Sequence, residues 1–355
     1  MPISAIEAEY LARKTLEIYE RLELRLMNII AVKVRMGMGS PDWAWMKLAA
    51  VRQVETQLRR EINGAAKEAM REIQNSTEKA YEIGILAGAE DIKAAERLIG
   101  REFVRGQMFG RINHDVLRLL IADTYGKLGA AHLQILRSCQ DIYRQIISET
   151  APEFFAGLET RRKAAQRALQ AWADKGVTGF VDRAGRQWEM ASYAEMATRT
   201  AYGHATIQGH IDTLEQAGQD LVIVSNSPEE CDLCRPWEGK ILSISGRSAQ
   251  YPSVADAEAA GMFHPNCTHR LGIYLPGYTK TMHDTENPEG YAERQKQRHI
   301  ERQIRGWKRR AAVAGEPTEK AFAEGKVREW QGRMREFIRD TGRRRDYARE
   351  GLKGH

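Results

Sequence analysis

The sequence predicts an α+β protein that is predominantly α. Long N-terminal helices come first, then a small mixed α/β module stapled by metal, then basic C-terminal helices. Three observations carry this. Apolar residues recur every three or four positions through most of the first 175 residues. The pattern changes to short alternating runs between 176 and 285. The charge, +6 overall, is concentrated at the end, where residues 291–355 hold 19 Lys/Arg against 10 Asp/Glu. The segments are therefore a helical N-terminal domain (1–175), a mixed module with a Cys/His site (176–285) and a basic helical tail (286–355).

Tyr19, Leu22, Leu26, Ile29 and Ile30 form the apolar stripe of a first helix, and "GMGSPDW" at 37–43 breaks it. Ser40 is the expected N-cap of the next helix, with Pro41 at its first position. The following pattern runs from Trp43 to about Leu98, with Gly64, Gly84 and Gly88 its few breakers. It reads as one long helix or a helical hairpin. "RGQMFGRIN" at 105–113 is a loop. Asn113 caps a helix whose stripe is Leu117, Leu120, Ile121 and Leu128. Thr150 and Glu153 have capping-box spacing and predict another helix, ending near "DKG" at 174–176.

The shorter elements follow. "TGFVDRAGRQWEM" alternates about a turn in which Gly185 suits the left-handed position of a hairpin loop. "SYAE" at 192–195 is a second capping box, opening a helix to about Ala217. "DLVIVSN", "GKILSIS" and "HRLGIYLPG" read as strands, and "SVADAEAAG" as a short helix. From about Glu289 two helical patterns follow, separated by "AGEPT".

Composition narrows the function. The chain has four cysteines in 355 residues, too few and too unevenly placed for a secreted disulfide scaffold. The N-terminus has no basic region followed by an apolar core, so no signal peptide is expected. The longest apolar patch, "LMNIIAV", is far short of a membrane span. These features predict a protein made in a reducing cytoplasm, where clustered cysteines more often serve metal binding or catalysis.

Three of the four cysteines cluster. Cys231 and Cys234 form a C-x-x-C, and "FHPNCTHR" returns with His264 and Cys267 as H-x-x-C. Two-residue spacers let both donors of a pair face one ion, and the Cys₃His set is a closed tetrahedral one of the kind that holds structural zinc. His269 is an alternative ligand to His264, because C-x-H also reaches one ion. With four or five candidate ligands, no open catalytic position is expected. Cys139, in the stripe "ILRSCQDIY", reads as plain core. In the tail, Arg298, Arg302, Arg305, Lys308, Arg309 and Arg310 suggest an anion- or nucleic-acid-binding face, or else a solvated face with interleaved glutamates.

The runs "GFVDRAGRQWEMASYAEMATRTAYGHATIQGHIDTLEQAGQDLVIVSNSPEECDLCRPWEGKILSISG", "FHPNCTHRLGIYLPG" and "YAERQKQRHIERQIRGWKRRAA" resemble the phage minor capsid protein 2 family, which is similar to MuF-type head morphogenesis proteins. The resemblance implies a bacteriophage or prophage head protein. It would be made in the host bacterial cytoplasm and then be a low-copy structural component of the virion, in the head interior or at the portal vertex. It would act in procapsid assembly without catalysis. The implied partners are portal and major capsid proteins and packaged double-stranded DNA. Zinc is not implied by the resemblance and rests on ligand spacing alone. The competing expectation is a metal-dependent nuclease or toxin-like effector carried in the head.

Overall fold

The computed structural model describes residues 5–104, 110–155, 160–181, 185, 187–227, 233–265, 267–280 and 288–351. The helices are α1 (Ala5–Arg35), α2 (Trp43–Ala49), α3 (Val51–Ile99), α4 (His114–Phe155), α5 (Arg161–Lys175), α6 (Met190–Gln216), α7 (Val254–Ala259), α8 (Pro288–Ala312), α9 (Pro317–Thr341) and α10 (Tyr347–Glu350). The strands are β1 (Thr178–Val181), β2 (Gln187–Glu189), β3 (Leu221–Val224), β4 (Ile241–Ser243) and β5 (Leu271–Ile273). The chain is thus mostly α with a small β component, as the periodicity requires.

Two compact units emerge. The first comprises residues 1–15, 71–126 and 195–293, and the second 16–70, 127–194 and 294–355. The segmentation at 175 and 285 follows changes of pattern along the chain. The units follow contacts and draw on all three segments.

In the first unit, β3 is the middle strand of an antiparallel sheet ordered β4-β3-β5. Val222 and Val224 alternate into a core shared with Leu242, Leu271 and the α6 residues Ile207, Ile211 and Leu214. A second cluster joins Tyr81 and Ile85 of α3 to Ala201, Tyr202 and Ala205 of α6. There α3 and α6 touch backbone to backbone. A Cβ placed on Gly84 would lie 2.1 Å from the Thr206 carbonyl oxygen, and one on Gly209 would lie 2.3 Å from that of Tyr81. Only glycine permits this approach. Polar links accompany it: the Thr206 hydroxyl donates to Ala80 O at 3.0 Å, His210 Nε2 meets Asp91 at 3.0 Å, and the Tyr81 hydroxyl donates to Asp212.

In the second unit, α8 and α9 pack through Ile300, Ile304, Met334 and Phe337. A buried ion cluster lies under α8. Arg309, 1% exposed, contacts Glu189 at 3.0 Å and Glu23 at 3.8 Å and donates to Ala173 O at 3.0 Å. Burial raises the Glu23 pKa, with Arg309 opposing it, and a Glu23 oxygen also accepts from the Val177 N–H at 2.9 Å. On α4, Cys139 is fully buried, and burial pushes its thiol up to about 12.

Three helix starts differ from the sequence reading. The cap of α2 is Asp42, and the Ser40 hydroxyl instead accepts the Asp42 N–H at 3.3 Å within the preceding turn. Arg161 holds that turn by donating to Met38 O and Ser40 O, both at 2.6 Å. Thr150 starts no helix: α4 runs through it, its hydroxyl bonds back to Ile146 O, and Thr160 caps α5. Ser192 lies inside α6, which begins two residues earlier at Met190, and its hydroxyl donates to Glu189. Asn113 does cap α4, accepting the Val116 N–H at 3.3 Å. The Trp43–Leu98 pattern is a short helix followed by one helix of 49 residues. The hairpin has Gly185 at φ +77° as expected, while residues 182–184 and 186 of its loop lie outside the described residues.

Candidate metal centre

The sheet topology brings the cysteine loops together. Strand β5 runs antiparallel to β3 with Val224 opposite Leu271. The residues just before β5 therefore lie beside those just after β3, even though some 40 residues of sequence separate them. Ser225 and Arg270 seal this junction: Ser225 N donates to Arg270 O, and Arg270 N to the Ser225 hydroxyl, both at 2.9 Å. Cys234 stands immediately before a 3-10 turn, Arg235–Trp237, and is fully buried.

The second loop is shaped by its backbone. After α7 the chain turns at Gly261 (φ +102°) and Phe263 (φ +57°). Among the described residues Phe263 is the one non-glycine with positive φ, a conformation that a bulky side chain adopts only when its surroundings impose it. Here the Phe263 side chain is buried, and its carbonyl bonds His204 Nε2 at 2.9 Å. This turn presents His264. Cys267 N then donates to His264 O at 2.9 Å, closing the H-x-x-C turn.

Cys234, His264 and Cys267 converge, with their ligand atoms within 4.8 Å of one another. The two sulfurs are 3.5 Å apart. That is well beyond a disulfide bond of about 2.05 Å and close to the roughly 3.8 Å edge of a tetrahedron with 2.3 Å metal–sulfur bonds. His264 Nδ1 is 2.8 Å from Pro265 O, which sets the tautomer whose Nε2 lone pair can ligate a metal. Cys231 lies outside the described residues. The hydrogen bond from Cys234 lowers the Cys267 thiol to about 4; burial opposes this and His269 assists it.

His269 stands next to this trio. Its Nδ1 is 3.4 Å from Cys267 Sγ and its Nε2 2.5 Å from Glu238 Oε1, so both ring nitrogens are engaged. Burial disfavours its charged form, but the bonds to Cys267 and Glu238 outweigh this and raise its pKa. Glu238 also accepts the Ser227 N–H at 3.1 Å within the first loop, so its bond to His269 ties that loop to the second. The sequence marks neither the part played by Glu238 nor that of His204. They act on partners 31 and 59 residues away, and no local motif points to them. A pocket lined by Arg199, His204, His264, Cys267 and Arg270 opens beside the cluster.

The six basic residues of α8 are placed unequally. Arg305 and Arg309 are interior cations: Arg305 donates to Arg349 O at 2.7 Å and pairs with Glu189, and Arg309 belongs to the buried cluster. Lys308 donates to Glu350 O at 2.6 Å, Arg310 pairs with Asp174, and Arg298 with Glu301 at 3.2 Å. Arg302 is the exposed member of the set. Glu301 on α8 itself, Glu189, Glu23 and Asp174 from far upstream, and the α10 carbonyls engage most of a face that composition alone presents as cationic. No helix among the described residues is long and apolar enough to cross a membrane.

Comparison with known proteins bears on what such a molecule does. The chain is 27% identical over 230 residues to a protein named "Structural protein" of Lactococcus phage LL-H, covering 59% of this chain and 61% of that protein's length. It is 30% identical over 114 residues to a "Structural protein" of Lactococcus phage mv4, covering 29% of this chain and 93% of that protein. No solved structure matches significantly. The family model described as "Phage minor capsid protein 2" matches residues 7–339. That span takes in α1 through nearly all of α9, the sheet and the Cys/His loops alike, and the chain therefore belongs to the phage minor capsid protein 2 family.

Proposed function

We propose that the chain is a low-copy virion component that acts in procapsid assembly at the portal vertex, touches portal or major capsid subunits, and contacts packaged DNA. The observation that carries this reading is the family match across residues 7–339, which leaves little of either compact unit outside it. The exposed apolar side chains of α2 support a protein contact. Trp45, Met46 and Leu48 are each about half or more exposed on a helix whose Trp43 is buried. DNA contact would run through solvent-facing cations of the C-terminal region, Arg302, Arg328 and Arg335 on α8 and α9 together with Arg344 between α9 and α10. Such binding weakens steeply with salt. The protein works by binding, without turnover of nucleic acid.

Mass spectrometry of purified heads tests the reading. We expect the chain in the particle at a copy number far below that of the major capsid protein, with cross-links from α2 to portal subunits. Absence from the particle overturns the reading. Cleavage of DNA by the purified, metal-supplemented protein would favour the effector alternative instead.

A further inference from the structure

We propose that Cys234, His264 and Cys267, completed by Cys231, hold one zinc ion as a structural staple, and that His269 positions Cys267 without ligating the metal. The inference concerns the fold of the first unit and stands apart from where in the virion the protein acts.

Geometry carries it. Three soft or borderline donors from two loops, 33 residues apart in sequence at their sulfurs, converge within 4.8 Å. Thiolate and imidazole donors with tetrahedral spacing select zinc over hard cations such as magnesium or calcium. The strained turn at Phe263, held by His204, aims His264 at the two sulfurs. The pairing of β3 with β5 brings the loop that carries Cys234 to the same end of the sheet as His264 and Cys267. The local need is also plain. Strands β4 and β5 have three residues each, and a sheet so small gains much of its stability from an ion that fixes its loops.

His269 bridges one proposed ligand and a carboxylate. Both of its nitrogens already have partners, Cys267 Sγ and Glu238 Oε1. A ring bridging a ligand sulfur and a carboxylate orients that ligand and balances its charge. In this proposal His264 ligates and His269 supports.

The test begins with the unaltered full-length protein, purified without added metal and analysed for its elements. We expect about one zinc per chain. Zinc below about half an equivalent, even after reconstitution with zinc chloride, overturns the proposal. Replacement by cobalt(II) should give the visible bands of a tetrahedral site with thiolate charge transfer; an octahedral spectrum also overturns it. Cys234→Ser and Cys231→Ser should each lose the ion, whereas Cys139→Ser, a buried cysteine outside the cluster, should keep it. His269→Ala should keep the cobalt spectrum while lowering affinity in a chelator competition about 10- to 100-fold. A change of coordination in His269→Ala, with the spectrum retained in His264→Ala, would reverse the two histidine roles and refute the assignment.

Discussion

Replacing Gly84 with alanine should destabilise the protein, although alanine is the better helix former. At an exposed helical site the change gains roughly 0.5–1 kcal/mol. At Gly84 the new methyl carbon would lie 2.1 Å from Thr206 O, 2.9 Å from His210 N and 3.0 Å from Thr206 C. All three are backbone atoms of α6, so no rotamer change relieves them. Ordinary contact begins near 3.4 Å, so α6 must retreat from α3 by about 1.3 Å. A gap of that order forfeits a quarter to a half of each dispersion contact across it, and Tyr81, Ile85, Tyr202 and Ala205 lie in the affected cluster. Together with the usual overpacking cost of about 1–3 kcal/mol, the expected net loss is roughly 2–4 kcal/mol. Gly64 lies on the same helix, where an added methyl carbon would meet nothing within 4 Å, and Gly64→Ala should gain about 0.5 kcal/mol or more. Urea unfolding followed by far-ultraviolet circular dichroism measures both. The midpoints should move in opposite directions. A Gly84→Ala protein within about 0.5 kcal/mol of wild type would refute the backbone-contact argument.

Other consequences follow from the second unit and from α7. Arg309→Met leaves Glu23 and Glu189 buried without their main counter-charge and should cost about 3–5 kcal/mol, read as a lowered denaturation midpoint; an unchanged midpoint would show that the cluster contributes nothing. His132, bonded to the Tyr19 hydroxyl at 2.8 Å, is lowered by burial from 6.5 to about 4. The unfolded chain therefore binds this proton first, so the stability linked to His132 is complete above pH 6.5 and is lost as pH falls toward 4. Between pH 7 and 5 the loss should be about 2 kcal/mol, and His132→Gln should flatten that part of the stability profile; an unaltered slope would count against a neutral buried ring. Ser253→Ala removes the hydroxyl half of the reciprocal cap with Asp256 and should cost about 1 kcal/mol, detected as faster amide exchange in α7.

What could be read from the sequence depended on how local its cause was. The long helices, the hairpin with Gly185, the three short strands and the order of elements all follow from periodicity and turn chemistry within a few residues. The errors came from signals with two local outcomes. Ser or Thr three residues before Glu marks a helix start, but the same hydroxyl inside a continuing apolar stripe bonds back to the carbonyl four residues earlier, as Thr150 does to Ile146. The proximity of Cys234, His264 and Cys267 could be anticipated from the clustering of cysteine and histidine in two short runs of sequence. The place of His269 was not, because it depends on Glu238, 31 residues away. Charge counting also failed for Arg305 and Arg309. Their acidic partner Glu189 stands 116 and 120 positions upstream, and only the folded chain brings it beneath α8.

The glycine contacts between α3 and α6 also restrict how this protein can move. Around Gly84 stand Ile83 and Ile85, and around Gly209 stand Gln208 and His210. A slide of one residue along either helix would bring a branched or long side chain to a place where even a Cβ lies little more than 2 Å from the other helix's backbone. The two helices are keyed like a tooth and its slot. Any rearrangement of the first unit must therefore carry the α3 segment around Gly84 and Gly88 together with the α6 segment from Thr206 to Thr213.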